Sequence, residues 1–212
     1  MNARARSITA AIVLAGAASA AGCGDVVRQG RSPSFLVIDS LTAASGARAG
    51  TFGTQLESDV QTLVNQTIDG KQVRVPTILE DLGQVTLHIT LKDQGAPGAV
   101  AAPSPINQVT INRYHVHYVR ADGRNTQGVD VPYDFDGAFT VTVGDTAVSA
   151  AFILVRIQSK EEAPLRALIN QGGRNSILAI AEVTFYGRDQ AGNEVQQTGS
   201  INVNFADWAD PS

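Results

Sequence analysis

With one cysteine in 212 residues, Cys23, the chain lacks the two thiols that an intrachain disulfide needs, which excludes disulfide-stapled scaffolds. Charge is also scarce. Asp, Glu, Lys and Arg make up 17% of the residues and the net charge is −4, so no basic surface points to a nucleic acid. Beyond the N-terminus, polar residues interrupt the Ala-rich and Val-rich stretches at strand-like intervals, and no apolar run is long enough to cross a bilayer as a helix. Motifs that carry chemistry are missing too. There is no Gly-x-Ser-x-Gly, the Ser, His and Asp residues are too dispersed to nominate a triad, and no repeat recurs at a fixed period. Gly172-Gly173 follows an expected helix instead of opening one, the wrong end for binding an anion. The sequence therefore nominates no catalytic residue and no cofactor, and the expectation is a non-catalytic protein.

What is present begins at the N-terminus. Arg4 and Arg6 form a short positive region, residues 8–18 form an apolar stretch too short for a stable transmembrane helix, and small residues lead to Cys23. The run Ala20-Ala21-Gly22-Cys23 resembles the bacterial lipoprotein signal, in which the cysteine becomes the acylated first residue of the mature protein. Ala20 stands where that pattern usually has leucine, which leaves cleavage after Ala20 by an ordinary signal peptidase as the alternative. Acylation has the advantage of removing an unpaired thiol from an oxidising compartment.

The resemblance implies a signal peptide at residues 1–22, a lipidated tether at 23–33 and a membrane partner reached through lipid on Cys23. Because Gly24 rather than an aspartate follows the cysteine, it further implies the outer membrane of a cell envelope. Processing would remove Arg4 and Arg6 but no acid, taking the net charge from −4 to about −6. The tether extends at most about 30 to 35 Å and holds the body close to the lipid surface.

Residues 34–212 read as one β-sandwich domain. Segments rich in Val, Ile, Thr, Phe and Tyr are separated by Gly, Asn, Asp and Pro. Val85, Leu87, Ile89 and Leu91 alternate with Thr86, His88, Thr90 and Lys92, which predicts a strand with one buried and one wet face. Residues 109–120 form another strand whose phase changes midway. Val109 and Ile111 share one face and Tyr114, Val116 and Tyr118 the other, so a bulge is expected near Asn112.

Residues 138–143 and 147–158 flank Gly144-Asp145-Thr146 and suggest a hairpin. Residues 50–83 fit strand better than helix, with a turn at Asp69-Gly70. One short crossover helix is expected, capped by Ser159 and Glu162, with Leu165, Leu168 and Ile169 on its apolar edge and Gly172-Gly173 ending it. Residues 176–186 are continuous enough in apolar residues to predict a strand buried on both faces. The final hairpin, Tyr186-Gly187-Arg188-Asp189-Gln190-Ala191-Gly192-Asn193, resembles bacterial immunoglobulin-like and fibronectin-type modules over about 20 residues, without their buried tryptophan and paired cysteines. The fold class expected is all-β, an antiparallel immunoglobulin-like β-sandwich with one short crossover helix.

Two groups of residues suggest ligands. His115 and His117 lie on one strand face at a spacing used in metal sites, and His88 on another strand is a possible third ligand. Asp130, Asp134 and Asp136, followed by Gly137, gather hard oxygens suited to calcium, although an EF-hand's further ligands are missing in register. For each group the plainer reading is exposed strand residues or a solvated turn. Trp208, the sole tryptophan, reads as a plug at one end of the sandwich. The function expected is a membrane-anchored module that binds a protein or glycan partner in the envelope. A metal-dependent enzyme or metal carrier built on His115 and His117, and a structural subunit of an envelope assembly, are the alternatives.

Overall fold

The computed structural model describes residues 30–208, so Cys23, the segment read as signal peptide and most of the tether lie outside the described residues. In chain order the strands are β1 (Ser34–Ala44), β2 (Gln55–Asp59), β3 (Thr62–Ile68), β4 (Lys71–Thr77), β5 (Asp81–Leu91), β6 (Gly95–Ala96), β7 (Ala99–Val100), β8 (Val109–Val119), β9 (Phe135–Gly137), β10 (Val141–Val143), β11 (Val148–Val155), β12 (Ile177–Asp189) and β13 (Glu194–Ala206). A helix, α1 (Ile157–Glu161), lies between β11 and β12.

Two sheets carry the core. One has the order β1-β5-β11, and the other runs β10-β8-β12-β13-β2 with β9 paired to β8. The alternation read in the sequence decides which side of β5 faces inward, with Val85 and Leu87 fully buried and Ile89 nearly so. Each such side chain contributes about 1.5 to 3 kcal/mol by leaving water. They meet Val116, Val183, Phe185 and Val203 from the other sheet in one apolar cluster. Phe152 of β11 ties the sheets together, its ring centroid 5.1 Å from that of Tyr114 and 5.4 Å from that of Phe185. The Tyr118 hydroxyl also donates across the gap, to the Leu154 carbonyl at 2.6 Å.

Several local expectations hold. Residues 50–83 are strand, with β3 and β4 forming a hairpin whose tip places Asp69 and Gly70 at φ of 50° and 74°, the left-handed pair that such two-residue turns require. The terminal hairpin pairs β12 with β13 from Ile177↔Phe205 to Arg188↔Glu194. At its tip only Gly192 takes a positive φ, while Asn193 is held by its own N–H and Nδ2, both of which donate to the Asp189 carboxylate.

The phase change in β8 is a bulge. Tyr186 pairs with Arg113 and Gly187 with Ile111, so Asn112 is the unpaired extra residue. Gly187 is required there, because a Cβ would run into the Thr110 carbonyl and the Ile111 side chain.

Four expectations need correction. Gly144-Asp145-Thr146 does not close a hairpin, since β10 pairs with β8 and β11 with β5. The connection turns a corner between the sheets, and the Ile89 N–H of the other sheet donates to the Gly144 carbonyl at 2.8 Å. The helix is shorter than expected and starts earlier. Ser159 sits inside α1 and is buried instead of capping it, and the apolar residues that were to extend it form a separate 3-10 turn, Leu165–Leu168. Pro164 explains the break, since it offers no N–H to continue the helix.

β12 is buried on one face only, with Leu178 61% exposed and Glu182 also turned outward. Its apolar continuity reflects small and β-branched residues rather than a second core. Finally, the six-stranded sheet is not wholly antiparallel, because β2 joins β13 in parallel from Gln55↔Asn202 to Asp59↔Ala206.

Candidate functional site

The bulge in β8 organises the outer surface of the larger sheet. An extra residue in a strand leaves two consecutive side chains on the same side, and here Asn112 and Arg113 both point outward while Ile111 and Tyr114 remain buried. Arg113 lies over the ring of its cross-strand neighbour, its Cζ 4.1 Å from the centroid of Tyr186, and its Nη1 reaches Asp136 at 3.4 Å.

Beyond Tyr114, regular alternation returns His115 and His117 to the outer face. β9 lies beside them with Asp136 opposite His115. His117 Nδ1 is 2.7 Å from Asp134 Oδ2 and His115 Nδ1 is 3.3 Å from Asp136 Oδ1, while His115 Nε2 is 3.9 Å from Asp134. Two groups that the sequence offered separately thus form one cluster. Asp134 Oδ1 is buried in it without a hydrogen-bond partner among the described residues.

Two of the nominated residues lie elsewhere. Asp130 accepts from the Thr126 N–H at 3.2 Å in the preceding loop. His88 is on the outer face of the smaller sheet, paired with Asp39 at 2.9 Å. Both imidazoles of the cluster are already engaged with carboxylates, and among the described residues no three His, Cys, Asp or Glu side chains are arranged to hold a metal ion. Trp208 is half-buried, its N–H donating to Asp59 Oδ1 at 3.2 Å and its Nε1 enclosed without a partner among the described residues.

Arg113 also forms one wall of a cleft of about 490 Å³, between the starts of β1 and β13 and the end of β12. This volume lies within the usual range for small-ligand sites, about 300 to 1,000 Å³. Two aromatic rings and three cations line it. Phe35 is 54% exposed, with Lys92 Nζ 5.1 Å from its ring centroid. Arg188, largely exposed, pairs with the half-buried Glu194 at 3.1 Å. The amides of Asn112, Gln196 and Gln197 and the hydroxyls of Ser32 and Ser34 complete the polar lining.

Sequence reading missed this cleft because residues 35, 92, 113, 186–188 and 194–197 share no spacing; pairing β8 with β12 and β12 with β13 brings most of them together. The one local signal was the predicted bulge near Asn112, read from the change of face between Ile111 and Tyr114.

A second missed group is closed. Lys160, on α1, is buried, and its Nζ donates to the Asp59 carbonyl at 2.8 Å, the Leu79 carbonyl at 2.7 Å and Asp81 Oδ1 at 2.9 Å. Asp81 accepts in addition from the Gly46 N–H and from Ser58 Oγ. Beside them, burial pushes the Asp59 carboxyl up to about 6, against the opposing pull of the Trp208 and Gln61 N–H groups. Burial likewise pushes the Tyr118 phenol far above its ordinary value. Every donor of Lys160 is used, so the group has no capacity left for a ligand.

No protein-family model, curated protein or solved structure matches this chain.

Proposed function

We propose that this protein is a cell-envelope lipoprotein, held to the outer membrane by lipid on Cys23, whose β-sandwich of immunoglobulin-like type binds an envelope partner without catalysis. The observation that carries the binding part of this reading is the cleft between Phe35 and Tyr186, a concave site with one exposed and one half-buried ring, cations and amides on rigid strands. The export-like N-terminus supports the anchor. Two sheets sharing one core and a terminal antiparallel hairpin support the immunoglobulin-like assignment, with the parallel β2–β13 pair as this chain's own variation.

Intact mass of the full chain recovered from bacterial membranes tests the anchor. The expected product begins at Cys23, carries a lipid-sized increment and loses it in Cys23→Ser. A soluble, unacylated product cut after Ala20 would overturn the lipoprotein reading and leave a free exported domain.

A further inference from the structure

The charge of the cleft runs against that of the chain. The whole sequence carries a net −4, yet the described residues lining the cleft include Lys92, Arg113 and Arg188 against one carboxylate, Glu194. Clefts lined by one sign of charge focus the field and concentrate ligands of the opposite sign. The two arginines are also available. Arg188 is 60% exposed in its pair with Glu194, and Arg113 is 53% exposed beside Asp136. Exposed pairs of this kind are worth about 0.2 to 1 kcal/mol, so an incoming anion displaces them at little cost. Arg113 keeps its orientation during such an exchange because it lies on the Tyr186 ring.

The rest of the lining narrows the ligand class. Over half of Phe35 is in water, which leaves ring surface for the apolar face of a sugar to stack against. Asn112 and Gln196 make no side-chain hydrogen bond to a described residue, and each amide offers both a donor and an acceptor for hydroxyl groups. An anion alone needs neither the ring nor the amides, and a purely apolar ligand needs neither the amides nor the cations.

We infer that the cleft binds an anionic saccharide, a sugar ring bearing a carboxylate or phosphate, with the anion on Arg188 and Arg113, the ring on Phe35, and the hydroxyls on Asn112 and Gln196. This deepens the proposed binding role and rests on it, but not on the lipid anchor.

Titration calorimetry of the full chain in a neutral detergent tests the inference with trigalacturonate, its fully methyl-esterified form, mannose 6-phosphate and inorganic phosphate, and detergent-free flotation of the Cys23→Ser chain with phosphatidylglycerol vesicles tests a lipid surface. The expected result is that trigalacturonate or mannose 6-phosphate binds and that the ester and inorganic phosphate bind at least about tenfold more weakly. Arg188→Ala and Phe35→Ala are each expected to cost about tenfold while leaving the melting temperature in place. Equal binding of acid and ester, lost in Phe35→Ala, would overturn the charge assignment while keeping the cleft as a binding site. Phosphate binding as tightly as the phosphorylated sugar would reduce the cleft to an anion patch and overturn the inference. Binding to vesicles without binding to either sugar would overturn it in favour of a lipid surface. No binding by any probe would overturn both the saccharide inference and the choice of this cleft, whatever the mass of the N-terminus.

Discussion

The polar group around Lys160 and the polar cleft around Arg113 use the same kinds of side chain to opposite ends. At Lys160 three ammonium donors meet three oxygens, both oxygens of Asp81 are occupied, and the ion pair is shut off from water, with side chains 1% and 0% exposed. At Arg113 the cations lie over rings and beside carboxylates but remain more than half exposed. A saturated, buried group holds elements in place: α1 is fixed to the loop before β5 and to the end of β2. An unsaturated, wet one retains capacity for something else. The difference lies in the hydrogen-bond count and the solvent, not in residue type.

The largest way to break this comparison is to remove one half of the closed pair. Lys160→Met leaves the Asp81 carboxylate buried without its ammonium, and the expected loss is about 3 to 5 kcal/mol in urea unfolding. The double change Lys160→Met with Asp81→Leu recovers part of it, since two apolar residues leave no orphaned charge. A loss below about 1 kcal/mol for Lys160→Met alone would mean that water reaches the pair, and that the group is not closed.

Asp59 sharpens the comparison through pH. Its carboxyl holds a proton up to about 6 in the folded protein but releases it near 3.8 in the unfolded chain. The folded state therefore binds more protons across that window, so this residue makes the protein less stable as pH rises from about 4 through about 6, and no further above it. The expected penalty at neutral pH is of the order of 3 kcal/mol. Asp59→Asn removes the ionisation while keeping an oxygen for the Trp208 N–H. The variant is expected to melt higher than the wild type at about pH 7.5 and to lose that advantage at about pH 4. An advantage that persists unchanged at the lower pH would show that burial of this carboxyl is not what limits stability.

The closed group and the open cleft also differ in how far the sequence foretold them. Strand patterns with a strict two-residue period were legible because one face of β5 and of β8 must be dry, and the bulge at Asn112 was legible because it breaks that period. The corner at Gly144 and the break at Pro164 were misread because a turn signal states that the chain bends, not which sheet the next strand joins. His115, His117, Asp134 and Asp136 were each visible, but only the β8–β9 register brings them together. Lys160 gave no signal at all. A lysine in a short amphipathic segment reads as a solvated residue, and its burial follows from three oxygens on β2, the loop after β4 and β5, about 80 to 100 residues earlier in the chain.

The smallest effect is the most discriminating for the cleft. Arg188 pairs with Glu194 across the β12–β13 hairpin, directly opposite it in register, with the arginine in solvent and the glutamate half-buried. If the pair were part of the scaffold, Arg188→Ala would cost about 1 kcal/mol or more; as a weak exposed pair it costs less than about 0.5 kcal/mol. Chemical denaturation of the wild type and of Arg188→Ala at low and high salt separates the two cases, because screening removes whatever the exposed pair contributes. A near-zero cost at both salt concentrations is expected. It means that the arginine is not needed to hold the hairpin, whose backbone ladder runs from Ile177 to Arg188, and that its guanidinium is free to exchange Glu194 for an incoming anion. A cost of about 1 kcal/mol that vanished in high salt would instead make Glu194 a real competitor for the site, and ligand binding would then strengthen in Glu194→Gln.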